Sequence, residues 1–195
     1  VAVADMALTE KQKIVGVALV DIGAETTTLS VFENGKLIAM NTFSIGGSEV
    51  TNDIALGFKI TLDNADDLKL GNAPEEFSKK KLNEIIEARL CDIFESIENN
   101  LKKIKRSELL PAGVVFVGGG ANTPGLVELS KSVLKLPSSV GATDIFGTAK
   151  TKLRDSAWFT VVGLLTAGKN DGGYSDSSLG NLFKDLKNSI KSSMK

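Results

Sequence analysis

The chain has 195 residues, enough for one domain or two small ones at roughly 100–200 residues each, and its 42% hydrophobic and 24% charged content makes a buried core feasible. It has no histidine and a single cysteine, Cys91, which excludes imidazole catalysis, histidine or thiolate metal clusters and an internal disulfide, and suits a reducing compartment. Its net charge of −1, from 23 basic and 24 acidic residues, supplies no global field for nucleic acid, so charge acts locally.

Ile14–Val20 is a short apolar run rich in β-branched residues and predicts a strand buried on both faces that stops at Asp21. Thr26–Glu33 and Lys36–Ser44 predict two more strands, joined through Asn34-Gly35, whose tolerance of positive φ suits a type I′ turn. Gly46-Gly47 ends the third strand, and Ser48 is placed to cap a helix over about Ser48–Gly57. Thr61–Leu70 predicts a small helix with acids early and Lys69 late, as the helix dipole favours. Ser78 is placed to cap a long helix, roughly Lys79–Ile104, whose Leu82, Ile85, Ile86, Leu90, Ile93, Phe94, Ile97 and Leu101 form one apolar stripe. Beyond Pro111 and Gly113, Val114–Val117 predicts a buried strand running into Gly118-Gly119-Gly120 and then a helix from about Pro124 to Leu134, with proline in its first turn. Asp155 heads a last core helix, Ser156–Ala167, which Trp158 and Phe159 are expected to pack into the core. Gly168–Ser178 (GKNDGGYSDSS) is expected to be a flexible linker before a tail, Leu179–Lys195. Adjacent strands followed by strand-helix alternation predict an α/β fold, and no apolar run reaches the roughly 18–20 residues that span a bilayer.

Three segments carry chemistry. In Asp21-Ile22-Gly23-Ala24-Glu25-Thr26-Thr27-Thr28, a strand-ending carboxylate can hold Mg²⁺ through water, glycine lets backbone approach a phosphate, and hydroxyls and N–H groups can donate to its oxygens. The same residues equally suit a plain hairpin turn. In Val115–Gly125 (VFVGGGANTPG), three glycines let backbone lie flat against a base or sugar. No Gly-Lys-Ser/Thr follows and the dinucleotide fingerprint is absent, so alone this segment is also a simple strand-to-helix connection. In the tail, Leu179, Leu182, Phe183, Leu186, Ile190 and Met194 share one helical face, flanked by Lys184, Lys187, Lys191 and Lys195. Such a helix enters the head-group boundary of an anionic membrane, or else folds back onto a protein surface. Glu84, Glu87 and Arg89 either line a cleft or form a solvated face, and Lys102, Lys103, Lys105 and Arg106 form a basic helix end that needs no nucleic acid.

Taken in order, the Asp21–Thr27 loop, Ala65-Asp66-Asp67-Leu68-Lys69 and Val117-Gly118-Gly119-Gly120-Ala121 with Gly125-Leu126 resemble the second phosphate loop, the ribose-and-base element and the adenosine motif of the actin-like ATPases. Within that superfamily, Ile45-Gly46-Gly47, Val50-Thr51-Asn52-Asp53-Ile54-Ala55, Glu84-Ile85-Ile86-Glu87-Ala88-Arg89 and Val161-Val162-Gly163-Leu164-Leu165 resemble the FtsA family of bacterial cell-division proteins, over nearly the whole chain.

The resemblance implies a ribonuclease-H-like actin fold lobe, expected to be the carboxy-terminal half of an FtsA-like protein. Subdomain IIA would comprise residues 1–60 and 111–168 and a reduced subdomain IIB residues 61–110, followed by a linker at 169–178 and an amphipathic membrane-targeting helix at 179–195. It implies ATP and Mg²⁺ as ligands, with Asp21 on Mg²⁺ through water and Gly23, Ala24, Glu25, Thr26 and Thr27 on the phosphates. Asp66 and Lys69 would hold the ribose and base, and Gly118, Gly119, Gly120 and Ala121 would floor the adenine site. No catalytic residue is assigned, and activity is at most that of a weak ATPase, because the first phosphate loop belongs to the other lobe. The implied partners are the carboxy-terminal peptide of FtsZ, the anionic inner membrane surface through Leu182, Phe183, Leu186, Ile190, Lys184, Lys187 and Lys191, and further copies of the parent protein in actin-like filaments. Nucleic acid is not among them. The implied place is the cytoplasmic face of the membrane at the septum. Two departures stand out: Asp66 replaces the family's glutamate, and Leu70–Ser78 is short, which reduces the subdomain that receives the FtsZ peptide. A PilM-like pilus assembly scaffold, which shares the Asp21 loop, and a sugar-kinase-type enzyme are the alternatives.

Overall fold

The computed structural model describes residues 2–72, 74, 77–143 and 152–171. At its centre is a five-stranded sheet ordered β3-β2-β1-β4-β5, formed by β1 (Val17–Ile22), β2 (Thr27–Glu33), β3 (Lys36–Phe43), β4 (Val114–Val117) and β5 (Ser138–Val140). β1, β2 and β3 form an antiparallel meander, whereas β4 and β5 run parallel to β1. The chain leaves β1 on one side to build the meander and returns on the other to build β4, so the direction of winding switches between β1 and β4. In open α/β sheets, ligands lie outside the strand ends at such a switch.

Helices cover both sheet faces. Ala18, Val20 and Ile22 of β1 and Val114 and Phe116 of β4 point into a core shared with α3 (Gly47–Phe58), α4 (Leu62–Lys69), α5 (Lys79–Lys103) and α6 (Leu126–Leu134). Val17, Leu19, Val115 and Val117 point the other way, against α1 (Ala2–Ala7), Leu8 and the Phe159 and Val162 side chains of α7 (Phe159–Asp171). This two-sided burial is why both strands read as unbroken apolar runs. The α5 stripe lies on the sheet as its periodicity predicts, and Phe94 meets Phe116 at a ring-centroid distance of 5.8 Å. Arg89 anchors α5 to α3 through Asp53 at 2.7 Å, and Arg106 anchors the following turn to Glu33 of β2 at 2.8 Å.

Several boundaries differ from the sequence reading. The first strand starts at Val17 because Thr9 and Gln12 form a reciprocal capping box that nucleates α2 (Glu10–Val15), which Gly16 ends at φ 112°. Ile14 and Val15 are therefore exposed helix residues, and the strand continues past Asp21, which pairs with Thr28 and Val117. Gly46, not Ser48, is the cap of α3, and its N–H donates to Glu49 Oε2 at 2.8 Å. Pro124 precedes α6 rather than opening it, since Gly119–Asn122 forms a 3-10 turn and Gly125 caps the helix at φ 79°. Phe159 is fully buried as expected, but Trp158 is 41% exposed, because it ends a 3-10 turn (Ser156–Trp158) on the outer side. α7 continues through Gly168–Asp171, so the expected linker starts as helix. Residues 172–178 and the tail helix at 179–195 lie outside the described residues. Between residues 61 and 110 the described residues form helices α4 and α5 and no strand. No helix among the described residues is long and apolar enough to cross a membrane.

Candidate functional site

β1 and β4 end side by side, with Asp21 in register with Val117. From β1 the chain turns through Gly23–Thr26, closed by a hydrogen bond from Gly23 N–H to Thr26 C=O at 2.8 Å. From β4 it passes through Gly118 into the 3-10 turn. The N-terminus of α3 docks onto the first loop: Gly47 N–H donates to Gly23 C=O at 2.9 Å and Ser48 N–H to Ala24 C=O at 2.8 Å. Backbone packs directly on backbone here, and a Cβ at Gly46 would stand 2.5 Å from the Ala24 oxygen. Gly118 has φ 84°, and a Cβ there would strike the Asp21 carboxylate and the Ile22 carbonyl. Glycine is required at both positions, at the first for space and at the second for conformation as well.

These loops border two recesses. The larger, of about 490 Å³, lies between Gly23, Ala24 and Gly47 on one side, Gly119, Gly120 and Asn122 on another, and Thr51, Asp66 and Lys69 opposite. Its volume falls in the range of small-molecule sites, roughly 300–1,000 Å³. The smaller, of about 250 Å³, is lined by Asp21, Thr26, Thr28, Gly118 and Thr160. Gly23 and Gly119 border both, so the two are adjoining parts of one cleft.

Among the described residues, three charged side chains line the cleft. Lys69 is largely buried; its Nζ lies 2.6 Å from Asp66 Oδ1 and donates to Thr51 Oγ1 at 2.7 Å and to Gly47 C=O at 3.4 Å. The Lys69 ammonium bonded to it holds the Asp66 carboxyl below its usual range, against an opposing effect of burial. Asp21 Oδ2 accepts a hydrogen bond from Thr160 Oγ1 at 2.8 Å. Two carboxylates against one ammonium give the described lining a formal charge of −1. A polyphosphate would therefore be repelled unless a cation accompanied it, so neutral backbone donors and a divalent ion have to carry most of the attraction.

The structure brings most of the sequence-predicted residues to this cleft: Asp21, Gly23, Ala24, Thr26, Asp66, Lys69, Gly118, Gly119 and Gly120 all line it. Three lie outside it. Glu25 is exposed at the loop tip. Thr27 is fully buried, with its hydroxyl donating to Ile45 C=O at 2.8 Å, and Ala121 is buried beside the core. Strand alternation explains Thr27, since it points opposite to Thr26 and Thr28. Glu84 and Glu87 are exposed and Arg89 is taken up by Asp53 and Asp92, so none of the three lines the cleft. Sequence reasoning missed Thr51, Asn122 and Thr160. Thr51 could have been found, lying one helical turn beyond Gly47, whereas nothing near Thr160 in sequence points to Asp21.

The family model for "Cell division protein FtsA" matches residues 18–163. The chain is 30% identical to the cell division protein FtsA of Pseudomonas aeruginosa over 200 residues, covering 90% of this chain and 48% of that protein. It is 31% identical to the FtsA of Bacillus subtilis over 186 residues, covering 84% and 41%. The chain thus spans about half the length of the curated relatives it matches. Among solved structures, an AMPPNP-bound MreB 5 of Spiroplasma citri superposes with a TM-score of 0.68 at 16% identity, covering 96% of this chain and 60% of that one. A PilM-PilN type IV pilus biogenesis complex gives 0.67 at 20% identity, with 82% and 47% covered, and the archaeal actin homolog Ta0583 gives 0.62 at 17%, with 87% and 54% covered. At these identities the likeness concerns the fold, which is the actin-like one.

Proposed function

The chain belongs to the FtsA family of cell-division proteins, and from that premise we propose that it binds ATP with Mg²⁺ in the cleft between β1 and β4 and serves as a membrane-tethered adaptor for a division filament. The carrying observation is convergence: three segments far apart in sequence, around Asp21–Thr26, Asp66–Lys69 and Gly118–Gly120, border one cleft at the switch point of the sheet. Exposed side-chain-free backbone at Gly119 suits the flat face of a base, and the Lys69–Asp66 pair opposite suits the ribose hydroxyls. The Gly23–Thr26 turn suits the phosphates.

Among the described residues no group of three or more histidine, cysteine, aspartate or glutamate side chains gathers that could cage a metal. One carboxylate beside a phosphate-sized recess fits Mg²⁺, which keeps most of its waters and is held by one or two carboxylates together with substrate phosphates. Bound there, the ion would neutralise phosphate charge, and Asp21 would hold it by accepting hydrogen bonds from its waters. The activity proposed is binding, with at most weak hydrolysis.

The adaptor half of the proposal rests on family membership and on the amphipathic pattern of Leu179–Lys195. Its Leu182, Phe183, Leu186 and Ile190 would enter the cytoplasmic face of the membrane at the septum, with Lys184, Lys187 and Lys191 on lipid phosphates. The FtsZ carboxy-terminal peptide and further copies of the parent protein, in actin-like filaments, are the partners this reading assigns. The PilM-like alternative draws on fold likeness and on the Asp21 loop it shares. Titration with a fluorescent ATP analogue tests the first half: saturable binding weakened by EDTA is expected, and none up to about 1 mM would refute it. Sedimentation with anionic vesicles tests the second, which fails if removing residues 179–195 leaves the bound fraction unchanged.

A further inference from the structure

Thr160 stands in the first turn of α7, 139 residues away from Asp21 in sequence, yet its hydroxyl donates to Asp21 Oδ2 at 2.8 Å. The direction of that bond is set by chemistry, because an ionised carboxylate only accepts. The helix start that carries Thr160 is itself fastened to the cleft. Gly118 N–H donates to Ser156 C=O at 3.2 Å, and Asn122 Nδ2 donates to Asp155 Oδ1 at 2.8 Å. Thr160 therefore meets the carboxylate from an anchored position, and both residues line the smaller recess. The other carboxylate oxygen, Oδ1, lies on the Gly118 side, in the space that a Cβ at Gly118 would occupy.

We propose that Thr160 is a positioning residue for a divalent cation in this cleft: by occupying one lone pair of Asp21 Oδ2, it fixes the carboxylate plane so that the remaining lone pairs accept from the cation's hydration waters. The inference rests on the nucleotide reading above and adds to it a residue of α7. It differs from a purely structural role, in which the hydroxyl merely ties α7 to the sheet. A positioning role acts only on the cation-dependent part of binding, whereas a structural one changes stability or binding regardless of the cation.

The test compares the 195-residue chain with Thr160→Val, which keeps the shape and removes the donor, and Thr160→Ser, which keeps the donor. ATP-analogue affinity is measured in Mg²⁺ and in EDTA, alongside thermal melting. A hydrogen bond to a charged group predicts about a ten- to 150-fold weakening for Thr160→Val in Mg²⁺. In EDTA its affinity should match the wild type, and Thr160→Ser should restore Mg²⁺ binding. Mn²⁺ binding read by water-proton relaxation should weaken in parallel. Equal weakening with and without the cation, or none in either, overturns the assignment while leaving the nucleotide reading intact. Absence of ATP binding by the wild type in Mg²⁺ overturns both.

Discussion

Replacing Gly119 with alanine separates a ligand role for the cleft from a folding role. A Cβ built at Gly119 meets no heavy atom within 4 Å, and the residue does not have positive φ, unlike Gly118. Folding should therefore be unaffected, or favoured by up to about 1 kcal/mol through the less flexible unfolded chain. The open space the methyl would enter is the cleft itself, since Gly119 borders both recesses. If a nucleotide lies on this backbone, the methyl overlaps it, and overpacking of that kind costs about 1–3 kcal/mol. That corresponds to a loss of affinity between about fivefold and about 150-fold. The assay is an equilibrium titration with a fluorescent ATP analogue, paired with urea denaturation of the same samples. Unchanged affinity in a normally stable Gly119→Ala protein would show that no ligand rests on this turn, and a stability loss above about 1 kcal/mol would show that the space is not free.

Gly46→Ala should behave in the opposite way. Its φ of −157° suits any residue, but the new Cβ would crowd the Ala24 and Gly23 oxygens and part the hydrogen bonds from Gly47 and Ser48, so urea denaturation should show a loss of about 2–4 kcal/mol. Phe94→Ala, which empties the contact between α5 and the sheet, should cost about 3–5 kcal/mol, read in the same way. Asp66 has a lowered folded-state pKa, so its link to Lys69 contributes above the unfolded carboxylate value and is lost as pH falls through the folded one. Its side chain is 52% exposed, so the stability effect should stay within a few tenths of a kcal/mol. An NMR titration of the Asp66 carboxyl should place its midpoint below about 3.9, and a midpoint above that would refute the pairing.

Much of this protein is determined locally. The α5 stripe, the Asn34-Gly35 hairpin and the buried run of β4 express periodicity and turn chemistry that neighbouring residues enforce by themselves, and the structure agrees with the sequence on each, as it does for the first strand from Val17 onward. Gly23 and Gly118–Gly120 were legible because glycine keeps its meaning in any surroundings, whereas Asp66 was picked out only by the resemblance of Ala65–Lys69 to a family element. Other choices were made by contacts across the fold. Whether Ile14 belonged to a strand depended on the Thr9–Gln12 capping box, and whether Thr27 faced a ligand depended on the strand register that turns its hydroxyl to Ile45. That the Asp21 loop is both a hairpin turn and a wall of a cleft could not be seen locally, because the opposite walls come from α4 and from the turn after β4. Thr160 is the clearest case: its partner lies 139 residues away. The sequence by itself determined most of the larger elements and the residue types of the candidate site. Only the packing of the sheet and α7 decided which side chains face the cleft, because a hydrogen bond between distant residues has no signature in the residues adjacent to either.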